Sequence, residues 1–542
     1  MIKHFIILMA AICFTLQIDA QGRSYRPNKP PKVLIGIVVE NMRPDYVDRY
    51  WDKFGEDGFR KLYSQGLVVS NMKISQQAQN YASGTATLFT GVYPSGHGII
   101  DEVWYDRFRM KEVGCVSDDY YFTVGADSKS GNASPKRLTA STIGDNLKLF
   151  SMNRSKVYSI AMNAESAVLS AGHAADAAWW FDPVSGRMIS SSFYVNTFPE
   201  WARDYNLVSQ GEKYSGRNWV TLFPENQYTE SLPDNHPLER GYGEKANVFP
   251  HNLNRLVRRS ESFNPIKTTP FANAIVREFA ITLLENEPVG TDDFPDLVTV
   301  VFSSMDYENG GFGPASLEMQ DLYLRLDKEI AELISFAEKK YGKLDVTFFL
   351  TANTSASYPV NYLKETFNMP VGEFSPESAF ALLNSYLNIT YGDAKWIEHL
   401  SGQQVYIDHK LVEKNNIDLN EIRNEIAGFL TQFEGVKVAL PAQLLEQGGS
   451  DNGALAGLYR NYMYNRSGDV LYILNEGWQP VYKFKKVNYT DQIHIPAVFY
   501  GAGIERKFVK TPYEAIDLAV TLSEILRIPP PDKSRGRVIE GI

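Results

Sequence analysis

Cysteine is nearly missing from this chain: Cys13 and Cys115 are 2 of 542 residues. Cys13 lies inside an N-terminal apolar run, so a cut behind that run leaves Cys115 alone and excludes an intrachain disulfide even in an oxidising compartment. No zinc-type cysteine spacing exists. Stability must come from the core, for which 44% hydrophobic and 13% aromatic residues are ample. Positive charge is also short, with 54 Lys+Arg against 64 Asp+Glu and a net charge of −10. That argues against nonspecific nucleic-acid binding but leaves room for a local cationic pocket. The apolar run itself, FIILMAAICFTLQ, stops well short of the roughly 20 residues of a membrane span. Internal repeats, low-complexity blocks and long charge runs are lacking.

What is present begins with that run. Lys3 and His4 precede it and IDAQG follows it, which is the make-up of a secretory leader. Ile18-x-Ala20 fits the small-residue rule loosely and places the cut after Ala20. A membrane anchor is the alternative; a lipid on Cys13 would need a small residue where Ile12 stands. Residues 21–31 form a polar, proline-rich lead-in. The length allows three or four domains, or one large domain with insertions.

KVLIGIVVE (32–40) is an almost unbroken apolar run ending on a carboxylate. Such runs mark strands buried on both faces, the habit of parallel sheets in α/β folds. SKVYSIAMN (155–163), DLVTVVFSSMD (296–306), LDVTFFLTAN (344–353) and IHIPAVFYGAG (493–503) repeat the pattern. Helical patterns lie between and after them, at 316–342 and at 511–528, the second with Thr511 as N-cap and Pro512 at the first helical position. The expected fold is α/β: a doubly wound, mostly parallel sheet flanked by helices over residues 32–542, with α+β cap insertions at about 174–270 and about 358–480. Four strands end on Glu40, Asn163, Asp306 and Asn353. In open α/β sheets ligands bind beyond the carboxyl ends of the strands, so these residues should converge on one site.

The order of motifs resembles the alkaline phosphatase superfamily, in particular its type I phosphodiesterase / nucleotide pyrophosphatase-like, secreted branch with a threonine nucleophile. VLIGIVVENMRPDY is similar to the family's first strand and turn, TLFTGVYPSGHGI to the segment after the nucleophile, and WYDR follows in place. WWFDPVSGRMISSSFY matches an insertion of the phosphatase branch, while SSMDYENGGFGP, DLYLRLDKEI and IHIPAVFYGAGI follow in order and spacing. The resemblance covers nearly the whole chain after the leader and implies an alkaline-phosphatase-like fold.

It also implies two zinc ions held by Asp and His, with an alkoxide attacking phosphorus. Carried over position by position, that equipment is largely replaced. The first-strand aspartate becomes Glu40, and the nucleophile position falls on Tyr81. The Asp of the D-Y-x-G-H pattern is kept as Asp306, but its histidine falls on Gly310. The D-H-G after the third strand becomes Asn353-Thr354-Ser355. The last histidine falls on Phe484, Lys485 or Lys486, and His494 corresponds to a second, downstream histidine. The phosphate-clamping K-x-R becomes Asn163-Ala164-Glu165, and the asparagine before WYD becomes Glu102. Two carboxylates remain of six ligands. The expected cofactor content is none, and Glu102 and Glu165 would repel a phosphate.

These positions therefore read as vestigial, with Tyr81 filling a pocket and His97, His173 and His494 as hydrogen-bonding residues of the fold. Ser83 or Thr85 could serve as nucleophile only after a shift of the helix register. A cation from Lys485 or Lys486 would offset Glu40 facing Asp306. The expectation is a catalytically inactive phosphatase-like protein, in the periplasm or on the surface of a Gram-negative-type bacterium. It would bind other envelope proteins, reach a membrane only through a partner, and bind no nucleic acid. The alternatives are a phosphate or sulfate ester hydrolase with a rebuilt metal centre, and a receptor using the cleft for a glycan or anionic ligand.

Overall fold

The computed structural model describes residues 29–542 apart from 78, 238, 240, 243–246, 306–310, 450–452, 454 and 482–492. The leader and lead-in residues up to 28 lie outside the described residues, as do Asp306, Gly310, Phe484, Lys485 and Lys486.

The apolar runs become strands: β1 (Val33–Val39), β2 (Leu67–Ile74), β3 (Val157–Ala161), β4 (Ala177–Asp182), β5 (Arg187–Ser191), β6 (Asp296–Phe302), β7 (Val346–Thr351) and β8 (Ile493–Gly501). Every residue of β1, β6 and β7 is buried, which is why these strands need no polar alternation. Each aliphatic side chain so buried contributes about 2 kcal/mol. β1 sits centrally, pairing in parallel with β6 on one side (Val33 opposite Asp296) and β7 on the other (Val33 opposite Val346). The sheet runs Lys507–Val509, β2, β8, β7, β1, β6, β3, β4, β5, Thr123–Val124, with Tyr513–Glu514 also pairing with β2 for eleven strands. Gly36 lies opposite Phe349 in this register, and a Cβ there would stand 2.4 Å from the Phe349 ring. The sheet centre thus needs glycine so that the ring can cross it.

Three features differ from expectation. β8 carries the same apolar signature as the parallel strands but pairs antiparallel with both β7 and β2. An apolar run reports burial on two faces and carries no information on direction. Within 174–270, β4 and β5 join the main sheet, β4 parallel to β3 and β5 antiparallel to β4. The helix expected from 511 begins at Asp517, because Tyr513–Glu514 is drawn into pairing with β2.

The helices are α1 (Tyr81–Thr90), α2 (Ala164–Ala171), α3 (Pro270–Asn286), α4 (Leu317–Tyr341) and α5 (Asp517–Leu526). α4 matches its predicted span, and Ser316 caps it by accepting the Met319 N–H. α1 packs against α2 and α5, and α3 packs on β6 and α4. Residues 358–480 build a four-stranded antiparallel sheet in the order Ile397–Ser401, Gln404–Ile407, Val470–Leu474, Val436–Pro441. It has its own core around Leu383, Trp396, Ile426 and Tyr472. Asp469, fully buried, ties this cap together: Arg107, Arg423 and His409 all bond its carboxylate at 2.7–2.8 Å. Among the described residues no helix is long and apolar enough to cross a membrane.

Candidate active site

Glu40 is the residue after β1, and its backbone N–H still donates to Phe302 of β6. Its side chain is buried. Oε1 accepts from Asn163 Nδ2 at 2.7 Å and from the Ser166 hydroxyl. Asn163 is also the N-cap of α2, accepting the Ser166 N–H on Oδ1 at 2.7 Å. One asparagine therefore starts a helix and holds the strand-end carboxylate. Sequence reading missed Ser166, although Asn-x-x-Ser before an apolar helix is a cap-like signal.

α1 begins in the same way. Asn80 caps it by accepting the Ser83 N–H at 2.8 Å, while its Nδ2 donates to Asp101 Oδ1 at 2.9 Å. Tyr81 is the first residue of α1 and packs, partly buried, against the main core. The small residues that follow allow close approach. A Cβ on Gly84 would lie 1.7 Å from the Asn353 carbonyl oxygen, so the helix backbone rests on the turn after β7. Asn353 Nδ2 donates to Thr85 Oγ1 at 3.0 Å, and that hydroxyl donates to the Tyr81 carbonyl at 2.6 Å.

Ser83 belongs to a buried chain. It donates to the Ile99 carbonyl and accepts from Gln76 Nε2, and Gln76 Oε1 in turn accepts from Thr87. His97 closes the chain. Its Nδ1 accepts the Ile99 N–H at 3.1 Å, which leaves Nε2–H to donate to Thr87 Oγ1 at 3.0 Å. Burial, with the nearby Arg466 charge, pushes the His97 pKa down to about 3, so the ring is neutral and structural. His173 bonds Asp145 and the Leu138 carbonyl.

The structure brings Glu40, Tyr81, Asn163, Asn353 and Thr354 to the carboxyl edge of β1, β3 and β7. Glu102 and Glu165 stand near the buried Cys115: its thiol is pushed well up by burial, then by Glu165, Glu102 and Asp101. A cleft of about 650 Å³ opens along the same edge, lined by Arg43 after β1, Ser75 after β2, Ser355 after β7 and His494 in β8, with Lys437 and Arg460 from the cap. Arg43, Lys437 and Arg460 were not among the sequence candidates, because nothing local marks residues so far apart as neighbours.

An α/β sheet with polar groups gathered beyond its strand ends, under an α+β cap, is the architecture of a hydrolase of the alkaline phosphatase type. Residues 34–495 match the family described as Type I phosphodiesterase / nucleotide pyrophosphatase, and the chain belongs to that family. It is 33% identical over 98% of both chains to alkaline phosphatase PafA of Elizabethkingia meningoseptica. To alkaline phosphatase PhoV of Synechococcus elongatus it is 32% identical, over 94% of this chain and 92% of that one. The crystal structure of wild-type PafA superposes with a TM-score of 0.89, at 32% identity, over 95% of this chain and 99% of that one.

These relatives correct the reading of the chain as an inactive scaffold subunit of an envelope complex. Similarity to alkaline phosphatases runs along nearly the whole length, so the family context is enzymatic. Replacements at individual positions do not by themselves mean loss of the reaction; the retained frame speaks for an enzyme. The zinc pair of the resemblance is a separate matter. Among the described residues no group of three or more His, Cys, Asp or Glu converges to hold a metal. Glu40 Oε1 is taken up by Asn163 and Ser166, and Asn353, its Nδ2 bonded to Thr85, offers one neutral amide oxygen in place of an Asp or His ligand. The described donor set does not fit two zinc ions, which need about three Asp or His ligands each.

Proposed function

We propose that the chain hydrolyses phosphate or sulfate monoesters at the carboxyl edge of β1, β3 and β7, through a centre rebuilt relative to the dinuclear pattern. The observation that carries this reading is the whole-length similarity to alkaline phosphatases, 33% and 32% identical over more than nine tenths of the chain. The geometry adds support. The capped start of α1 at Asn80, with no acidic residue in its first turn, brings the helix's positive end to the polar edge, where an anion is stabilised. Glu40 is held there by two donors of fixed direction. Glu102 and Glu165 disfavour an anion beside Cys115; neither lines the cleft, the route open to an anionic substrate.

The test is turnover of p-nitrophenyl phosphate and p-nitrophenyl sulfate by the chain without residues 1–20, with and without added divalent cations. Hydrolysis that falls by about two orders of magnitude in Glu40→Ala is the expected result. No turnover of either ester above background under any of these conditions overturns the reading. The location we propose is outside the inner membrane, on the strength of the leader-like residues 1–20. Association with other envelope proteins is compatible with hydrolysis, and co-purification from native membranes tests it.

A further inference from the structure

We propose that the cleft between the sheet edge and the cap binds a second anionic group of the substrate, so that the preferred ester carries a negative charge beyond the group being hydrolysed. This deepens the hydrolase reading and rests on it for the word substrate; the anion site itself stands on the cleft.

The cleft is lined by Arg43, Lys437 and Arg460, and among its described lining residues the one carboxylate is Glu476. In a chain of net charge −10 this is a local reversal of sign. The two guanidinium groups are set firmly in place. Arg43 bonds the Ala356 carbonyl at 3.0 Å and lies 4.4 Å from the centre of the Tyr358 ring, with Asp45 at 2.8 Å. Arg460 bonds the Ser75 carbonyl at 2.9 Å, stacks 4.4 Å from the Tyr93 ring, and has Glu514 at 3.9 Å. Neither Asp45 nor Glu514 lines the cleft. The cations are thus steadied by groups outside the lining while the lining itself keeps its positive excess. Arginine held this way loses little freedom on binding an anion.

The other lining groups suit a polar ligand. Ser75 and Ser355 are hydroxyl residues, and burial, with the Lys73 charge, lowers the His494 pKa, so its ring is a neutral hydrogen-bonding partner at pH 7. A volume of about 650 Å³ exceeds what one phosphate needs and falls in the range of small-molecule sites. The cations come from both sides, Arg43 from the turn after β1 and Lys437 and Arg460 from the cap, so a ligand anion here bridges sheet and cap. Arg43 follows Glu40 by three residues, which places this subsite beside the proposed reaction edge.

The test uses non-hydrolysable probes, so that binding is read apart from turnover. Phenylphosphonate carries one anionic group and benzene-1,4-diphosphonate two. Calorimetric titration is expected to show the diphosphonate binding at least about tenfold more tightly, with the preference falling to within about threefold in Lys437→Glu. Lys437 is exposed on its strand, so this variant keeps the fold; Arg460→Gln, checked for an unchanged unfolding midpoint, gives a second reading. Equal affinity for the two probes, or a preference unchanged in both variants, overturns the inference. If esters are hydrolysed but the diphosphonate is not preferred, the subsite falls and the hydrolase reading stands. If the diphosphonate is preferred but no ester is cleaved, the cleft stands as an anion site and the hydrolase reading falls.

Discussion

Asn163 donates its side-chain amide to Glu40 at 2.7 Å and, through its side-chain oxygen, accepts the Ser166 N–H in the first turn of the helix it caps. A strand end and a helix start are locked by one neutral residue, at a position where the resemblance places a cation. Replacing Asn163 by Ala removes a cap, worth about 1 kcal/mol, and a hydrogen bond to the Glu40 carboxyl group of similar size. Urea unfolding should show a loss of about 2 kcal/mol. Asn163→Ser keeps a capping oxygen without the reach to Glu40, and should lose about half as much.

Gly84 makes a sharper prediction. A methyl group there meets the Asn353 carbonyl oxygen at 1.7 Å, and backbone cannot swing aside as a flexible side chain can. Gly84→Ala must push α1 off the turn after β7, at a cost of about 3 kcal/mol despite the better helix propensity of alanine. Thermal unfolding checks this. A wild-type midpoint would mean that the contact is looser than described.

Asp469 makes the cap sensitive to acid. Burial alone would raise its pKa, but the His409 hydrogen bond and the Arg107 charge hold it well below the usual carboxylate range. A folded value below the unfolded one means that the aspartate contributes stability above about pH 3.9 and loses it as pH falls through the lower, folded value. Asp469→Asn should remove that contribution at neutral pH. Because Arg107 and His409 are partly exposed, the loss is about 2 kcal/mol, less than for a fully buried pair. Limited proteolysis should then cut first within 358–480, and the variant should lose less further stability than wild type as pH falls below about 3.9.

Cys115 is buried, and its thiol is pushed well up by burial and then by Glu165. In the folded chain without residues 1–20, Ellman's reagent at pH 8 should find almost no reactive thiol, and one equivalent after denaturation. Rapid labelling of the native protein would place Cys115 at the surface and separate it from the acidic residues described beside it.

Much of the architecture was open to reading from local pattern. The central strands declare themselves because burial on both faces requires continuous apolar residues, and α4 because Ser316 and its periodic face are local signals. The direction of β8 was not readable, since its partners β2 and β7 are set by topology. Nor was the start of α5, where Thr511-Pro512 looks like a cap but Tyr513–Glu514 is taken by β2. At the site, Glu40, Tyr81, Asn163 and Asn353 stood at marked strand and helix ends. Ser166, Arg43, Lys437 and Arg460 carried no such mark.

Residue order by itself determined which segments are buried, where the main helices begin, and that the chain follows the plan of a phosphate-ester hydrolase while departing from its ligand set. Only the tertiary structure decided that Asn163 and Ser166 hold Glu40, that Asn353 supports α1, and that Arg43 faces one cleft with the distant Lys437 and Arg460. The reason is physical: hydrogen bonds and charge act through a few ångströms of space, and folding brings together groups that the chain keeps far apart.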